Sequence, residues 1–170
     1  ELERAIEDAH AFTGAWDEIG GAERAAMLEA AADAMEENVG EFMALITREA
    51  GKTAQVAVSE LREAVDFLRY YALQARKKFD APIVLPGPTG ESNQLSLHGK
   101  GVFVCISPWN FPLAIFTGQV SAALADGNTV LAKPADQTPA IASLAVRTMQ
   151  QAGIPLEALQ FVPGRGSVVG

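Results

Sequence analysis

Cysteine is almost missing from this chain, which has one, Cys105, in 170 residues. A single thiol forms no internal disulfide, and that fits a reducing compartment. Histidine is as scarce. His10 sits on a helical stretch and His98 on a strand-like one, neither with a second histidine or cysteine at metal-ligand spacing, so no metal site is readable. Basic charge is short as well: 13 lysines and arginines face 21 acidic residues for a net charge of -8, which argues against nucleic acid as a partner. The one basic cluster, Arg76-Lys77-Lys78, reads as a helix end favoured by the helix dipole. Long hydrophobic runs are absent too, since serine, asparagine, proline and glycine break every apolar stretch before the ~20 residues that a membrane helix needs. No signal peptide opens the sequence, so the expected address is cytoplasmic, with no transmembrane segment.

What is present is a globular composition, 49% hydrophobic, punctuated by 15 glycines and 9 prolines. Over residues 1–80 the period is helical. Ala25, Leu28, Ala32, Met35 and Val39 step by three and four, as do Ala57, Leu61, Ala64, Leu68, Tyr71 and Ala75. Gly20-Gly21, Gly40 and Gly51 divide this stretch into four expected helices, the last the longest. Gly51-Lys52-Thr53 is not a phosphate loop, because Ile46 stands where that motif needs a glycine. Residues 81–100 form a connector rich in proline and glycine, with strand-like runs at 83–85 and 94–98.

From residue 101 the pattern changes to GVFVCISPWNFPLAIFTGQVSAALADGNTVLAK. Val102–Ile106 reads as a strand buried on both faces and stops at Ser107-Pro108. A helix is expected from about residue 112 to 126, closed by Gly127, then a second strand over 129–132. Thr138 is placed to cap a helix over about 139–152, and a third strand follows at about 159–162. Strand, helix, strand, helix, strand is half of a doubly wound parallel sheet, whose ligands bind beyond the carboxyl ends of the strands. The turns at 107–110 and 133–136 should therefore line one cleft. Glu1 is not a methionine and Gly170 falls in mid-pattern, so the chain reads as a fragment.

Residues 106–139 contain Pro-Trp-Asn-Phe-Pro at 108–112 and Lys-Pro-Ala-Asp-Gln-Thr-Pro at 133–139, and at this spacing the run resembles the NAD-dependent aldehyde dehydrogenase superfamily. Residues 86–119 look more narrowly like the dehydrogenase part of the proline utilisation A family, bifunctional bacterial enzymes that oxidise proline to glutamate. The fold that this implies is α/β, with a helical segment over 1–80, a connector with oligomerisation strands over 81–100, and the first half of a Rossmann-like NAD-binding domain over 101–170. The implied activity is oxidation of L-glutamate γ-semialdehyde with NAD, in a homo-oligomer. FAD would belong to a separate proline dehydrogenase domain that this chain does not include. A dehydrogenase for another aldehyde, and a non-catalytic folding or oligomerisation module, stay open beside it.

Asn110 fits a helix N-cap as well as it fits a catalytic donor. The resemblance favours the donor, its side-chain amide facing the oxyanion formed when a thiolate attacks an aldehyde. Ile106, Ser107, Pro108 and Trp109 would then lie along the nicotinamide side of NAD. Lys133 is by position a strand-end lysine and by resemblance a contact to the adenosine ribose, with Asp136 its acidic companion. Asp136 departs from the family's usual glutamate and is one methylene shorter, which leaves the choice between NAD and NADP open. Gly164, Gly166 and Gly170 do not make a dinucleotide fingerprint, but by resemblance Gly166 and Gly170 approach the adenine side. Cys105 lies in a buried strand without a neighbouring base, so it reads as core and not as a nucleophile. The family's nucleophilic cysteine and general-base glutamate lie further along than any residue here.

Overall fold

The breaks in the first 80 residues separate four helices in the computed structural model, which describes residues 1–169. They are α1 (Leu2–Glu18), α2 (Gly21–Glu37), α3 (Val39–Ala50) and α4 (Ala54–Lys78). Gly51, at φ +66°, closes α3, and Thr53 opens α4 by accepting the Val56 N–H at 3.4 Å. Gly40 does not break the chain. The break falls at Asn38, and Gly40 sits in the first turn of α3.

Next, β1 (Ile83–Leu85) and β2 (Asn93–Leu95) pair as a short antiparallel hairpin. β2 is shorter than the alternation of 94–98 suggests. Beyond Leu95 the chain is drawn to α1, where Asp17 accepts the Gly99 N–H at 2.8 Å and holds the His98 ring at the same distance. His98 is therefore an anchor at the foot of the hairpin and not a strand residue.

The sheet is β3 (Val102–Ile106), β4 (Thr129–Lys133) and β5 (Leu159–Phe161), in that order and all parallel. Helices α5 (Ala114–Ala125) and α6 (Pro139–Gln151) make the crossovers, and a single turn, α7 (Gly166–Val169), follows β5. Central β4 is buried at every residue. β3 is not buried on both faces as its composition suggests. Among the described residues of this segment only β4 pairs with it, and Phe103, Val104 and Ile106 are 43, 59 and 56% exposed. An apolar run marks what a strand can bury, not whether a neighbour lies beside it.

Alternation along β4 divides the core. Val130 and Ala132 join the large cluster with Leu124, Phe116, Leu28, Met35 and Leu68, whereas Leu131 faces Ala9 and Val162 on the other side. The layers therefore run α1, sheet, α5 with α6, then α2 with α4. The expected helical segment is thus split, with α1 on one face of the sheet and the other helices beyond the crossover helices. The fold is α/β, a Rossmann-like half sheet with a helical layer and an exposed two-stranded connector. No helix is long and apolar enough to cross a membrane, among the described residues.

Candidate functional site

The two turns at the carboxyl ends of β3 and β4 lie side by side. Ile106 pairs with Lys133 in the ladder, and the Ser107 N–H donates to the Lys133 carbonyl at 3.2 Å. Ser107 is buried, whereas Pro108, Trp109 and Asn110 are exposed on the turn beyond it. α5 begins at Ala114 with Leu113 in the N-cap position, so Asn110 lies three residues ahead of the cap and the helix-cap reading fails.

The amides that open α5 are taken by a residue the sequence did not single out. Glu60, on α4 and 1% exposed, accepts the Leu113 N–H at 2.8 Å and the Ala114 N–H at 3.3 Å through one oxygen. Its other oxygen takes the Lys52 ammonium, which stands 3.9 Å from the centre of the Phe111 ring. α6 is opened in the same way. Glu49 accepts the Ala140 and Ile141 N–H groups at 2.8 and 2.9 Å. Thr138 occupies the cap position but does not cap, and its buried hydroxyl has no hydrogen-bond partner among the described residues. With carboxylates on both helix starts, these amides are not free to cradle a phosphate, the usual use of such positions in dinucleotide folds. The signal was present but faint: Glu60 falls three after Ala57 and four before Ala64, on the apolar stripe of α4.

Lys133 is not solvent-facing. It is 7% exposed, and its ammonium donates to the Pro134 carbonyl at 3.0 Å and to the Asp136 carboxylate at 3.2 Å, with Asp136 open to solvent. Gly166 is exposed at the start of α7, after β5. Gly170 lies outside the described residues.

Two parallel-strand ends joined by a hydrogen bond, an exposed Trp-Asn turn and an acid-paired lysine are set on half of a doubly wound sheet. The sequence profile of the aldehyde dehydrogenase family matches all of it, residues 1–170. The chain belongs to the aldehyde dehydrogenase family. It is 49% identical to the bifunctional protein PutA of Klebsiella aerogenes over the whole of this chain and 12% of that protein. It is 42% identical to 1-pyrroline-5-carboxylate dehydrogenase of Anoxybacillus flavithermus, over 99% of this chain and 32% of that one. Among solved structures, a proline utilization A with proline bound in remote sites superposes at a TM-score of 0.95 with 55% identity, covering 98% of this chain and 17% of that one. A Thermus 1-pyrroline-5-carboxylate dehydrogenase with bound NAD superposes at 0.93 with 36% identity, covering 99% of this chain and 33% of that one. The chain thus spans about an eighth of the length of its PutA relatives and a third of that of the shorter dehydrogenases.

Cys105 is unsuited to be a nucleophile. It is 6% exposed in β3, and burial pushes its pKa up from 9.0 to about 11. At pH 8 that leaves about a hundredfold less thiolate than an unperturbed cysteine would have. Iodoacetamide should therefore label Cys105 in the native protein far more slowly than after denaturation, by at least about tenfold. Equal rates, read by mass spectrometry, would show the thiol to be ionised and accessible.

Proposed function

We propose that this chain is the opening part of an NAD-dependent aldehyde dehydrogenase that oxidises L-glutamate γ-semialdehyde to L-glutamate in proline catabolism. The observation that carries the reading is the Ser107–Lys133 hydrogen bond, which sets the Trp109-Asn110 turn and the Lys133–Asp136 pair on one sheet end. The substrate rests on relatives that are named as PutA and 1-pyrroline-5-carboxylate dehydrogenase and match along nearly the whole chain.

In this reading Asn110 donates its side-chain amide N–H to the aldehyde oxygen as that oxygen gains charge, a stabilisation by a neutral donor that needs no proton transfer. Cys105 takes no part, so the attacking thiol comes from outside this segment, and the resemblance to the family implies the same of the general-base glutamate. NAD, when bound, accepts the hydride. Ile106, Ser107, Pro108 and Trp109 line its nicotinamide side, and Gly166 its adenine side.

The surroundings of Lys133 fit a ribose. An ammonium has three donors, and two are engaged by Pro134 and Asp136, which leaves one to reach a ribose hydroxyl beside the exposed Asp136 carboxylate. The exposed apolar residues Ile83, Val84, Leu85 and Leu95 on the β1–β2 hairpin suit a surface where copies of the protein meet.

Lys133→Ala tests the cofactor assignment. In a complete dehydrogenase carrying this segment, calorimetry should show NAD binding weakened by about ten- to a hundredfold, from the loss of a charge-assisted hydrogen bond of about 1.5 to 3 kcal/mol. Turnover at saturating NAD should stay nearly the same. An unchanged dissociation constant would move the adenosine site elsewhere.

A further inference from the structure

The turn that carries Asn110 is held at both ends, and only one of its anchors belongs to the sheet. At its start the Ser107 N–H is fixed to Lys133. At its end Pro112 has no N–H, and the next two amides, Leu113 and Ala114, are both bound by the single buried carboxylate of Glu60. Lys52 completes this end. Its ammonium touches Glu60 and lies under the ring of Phe111, the residue directly after Asn110.

A helix start needs only a neutral acceptor, and serine, threonine or asparagine serves. This one is made instead with a buried charged pair reaching in from the α3–α4 elbow, an arrangement whose desolvation cost commonly cancels its attraction. Its distinctive yield is geometric. Two oxygens and an ammonium locate Phe111, Leu113 and Ala114 together, and with Ser107 fixed at the other end little freedom is left to Asn110.

We propose that Lys52 and Glu60 are positioning residues for the oxyanion step. They touch neither aldehyde nor cofactor, and they aim the Asn110 amide by fixing the residues that follow it. This rests on the role proposed above for Asn110.

The test is a set of variants in a complete dehydrogenase carrying this segment: Glu60→Gln, Lys52→Met, Lys52→Arg, and Lys52→Met combined with Asn110→Ala. Glu60→Gln keeps an oxygen for the two amides but loses the charge that holds Lys52. Lys52→Met keeps the stem over Phe111 without the ammonium. Both should lower kcat by about tenfold, the scale expected when a reacting group is slightly misplaced, with the NAD dissociation constant unchanged. Lys52→Arg should restore most of the loss.

The combined variant decides between positioning and general stability. If the pair acts through Asn110, adding Lys52→Met to Asn110→Ala lowers kcat no further. Should the two losses multiply, or should Lys52→Met and Glu60→Gln leave kcat intact, the pair is merely a buried structural contact and the inference is wrong. Were Asn110→Ala itself to turn over normally, the role of Asn110 would be wrong and the inference with it, a result the single variant shows on its own. If Lys52→Met does not fold, because Glu60 is left buried and unpaired, the neutral double variant Lys52→Met with Glu60→Gln replaces it, alone and in the Asn110→Ala background, with the same outcomes.

Discussion

Asn110→Ala, in a complete dehydrogenase carrying this segment, is expected to lower kcat and kcat/KM together by about 10²- to 10³-fold, the loss typical of removing one oxyanion donor. The two fall together because the donor acts on charge that exists only in the transition state. Helix stability is a separate matter here. α5 is capped at Leu113 by Glu60, and Asn110 stands exposed ahead of that cap, so its amide can be removed without leaving a helix amide unpaired. Steady-state kinetics with the semialdehyde, together with a calorimetric titration of NAD that should be unchanged, make the comparison. Normal turnover per folded molecule would mean that the oxyanion is met by other groups.

A second large effect is expected far from the site, at Arg24. This guanidinium is 1% exposed and donates to three carbonyls, Ala125 at 3.2 Å, Trp16 at 3.1 Å and Asp17 at 2.8 Å. Burial lowers its pKa from the usual value, and the carboxylates of Asp17, Asp126 and Asp80 oppose that shift. It thus closes the last turns of α1 and α5 at once, beside the Trp16 indole N–H, which donates to Leu124 at 3.2 Å. Arg24→Met keeps most of the volume but strands the Trp16 and Ala125 carbonyls, while the Asp17 carbonyl keeps the Gly20 N–H at 3.3 Å, with an expected cost of about 3 kcal/mol. Hydrogen exchange in the complete enzyme should show protection lost at the amides of residues 122–128 by a factor of about a hundred, with the melting temperature lowered. Protection equal to the parent's would mean that water replaces the guanidinium without penalty.

The elements that could be read from sequence are those whose signal is local. Gly51 and Thr53 mark the α3–α4 break because one tolerates positive φ and the other offers a hydroxyl to Val56. β3 and β4 were legible as apolar runs with β-branched residues, β5 followed from its place after the second crossover helix, and the meeting of the 107–110 and 133–136 turns followed from the sheet rule. What could not be read depends on partners distant in sequence. Thr138 has a capping side chain, yet the cap of α6 is Glu49, some 90 residues earlier. Whether Phe103, Val104 and Ile106 are covered depends on which strands lie beside β3, and nothing local in the run says so. Glu60 and Arg24 resemble ordinary surface charges until their place on an apolar helix face is noticed, and even then nothing local names the amides and carbonyls they serve.

Both ends of α5 are finished by side chains that precede it, Glu60 by 53 residues and Arg24 by 101. A chain grows from its amino end at about 5 to 20 residues per second, so α2 and α4 leave the ribosome several seconds before α5 does. The helix that carries the Asn110 turn at its head is then born onto a template already holding a negative group for its start and a positive one for its finish. A circular permutant that placed residues 1–80 after the sheet would reverse that order, and α5 would have to wait, with both termini unsatisfied, for partners not yet made.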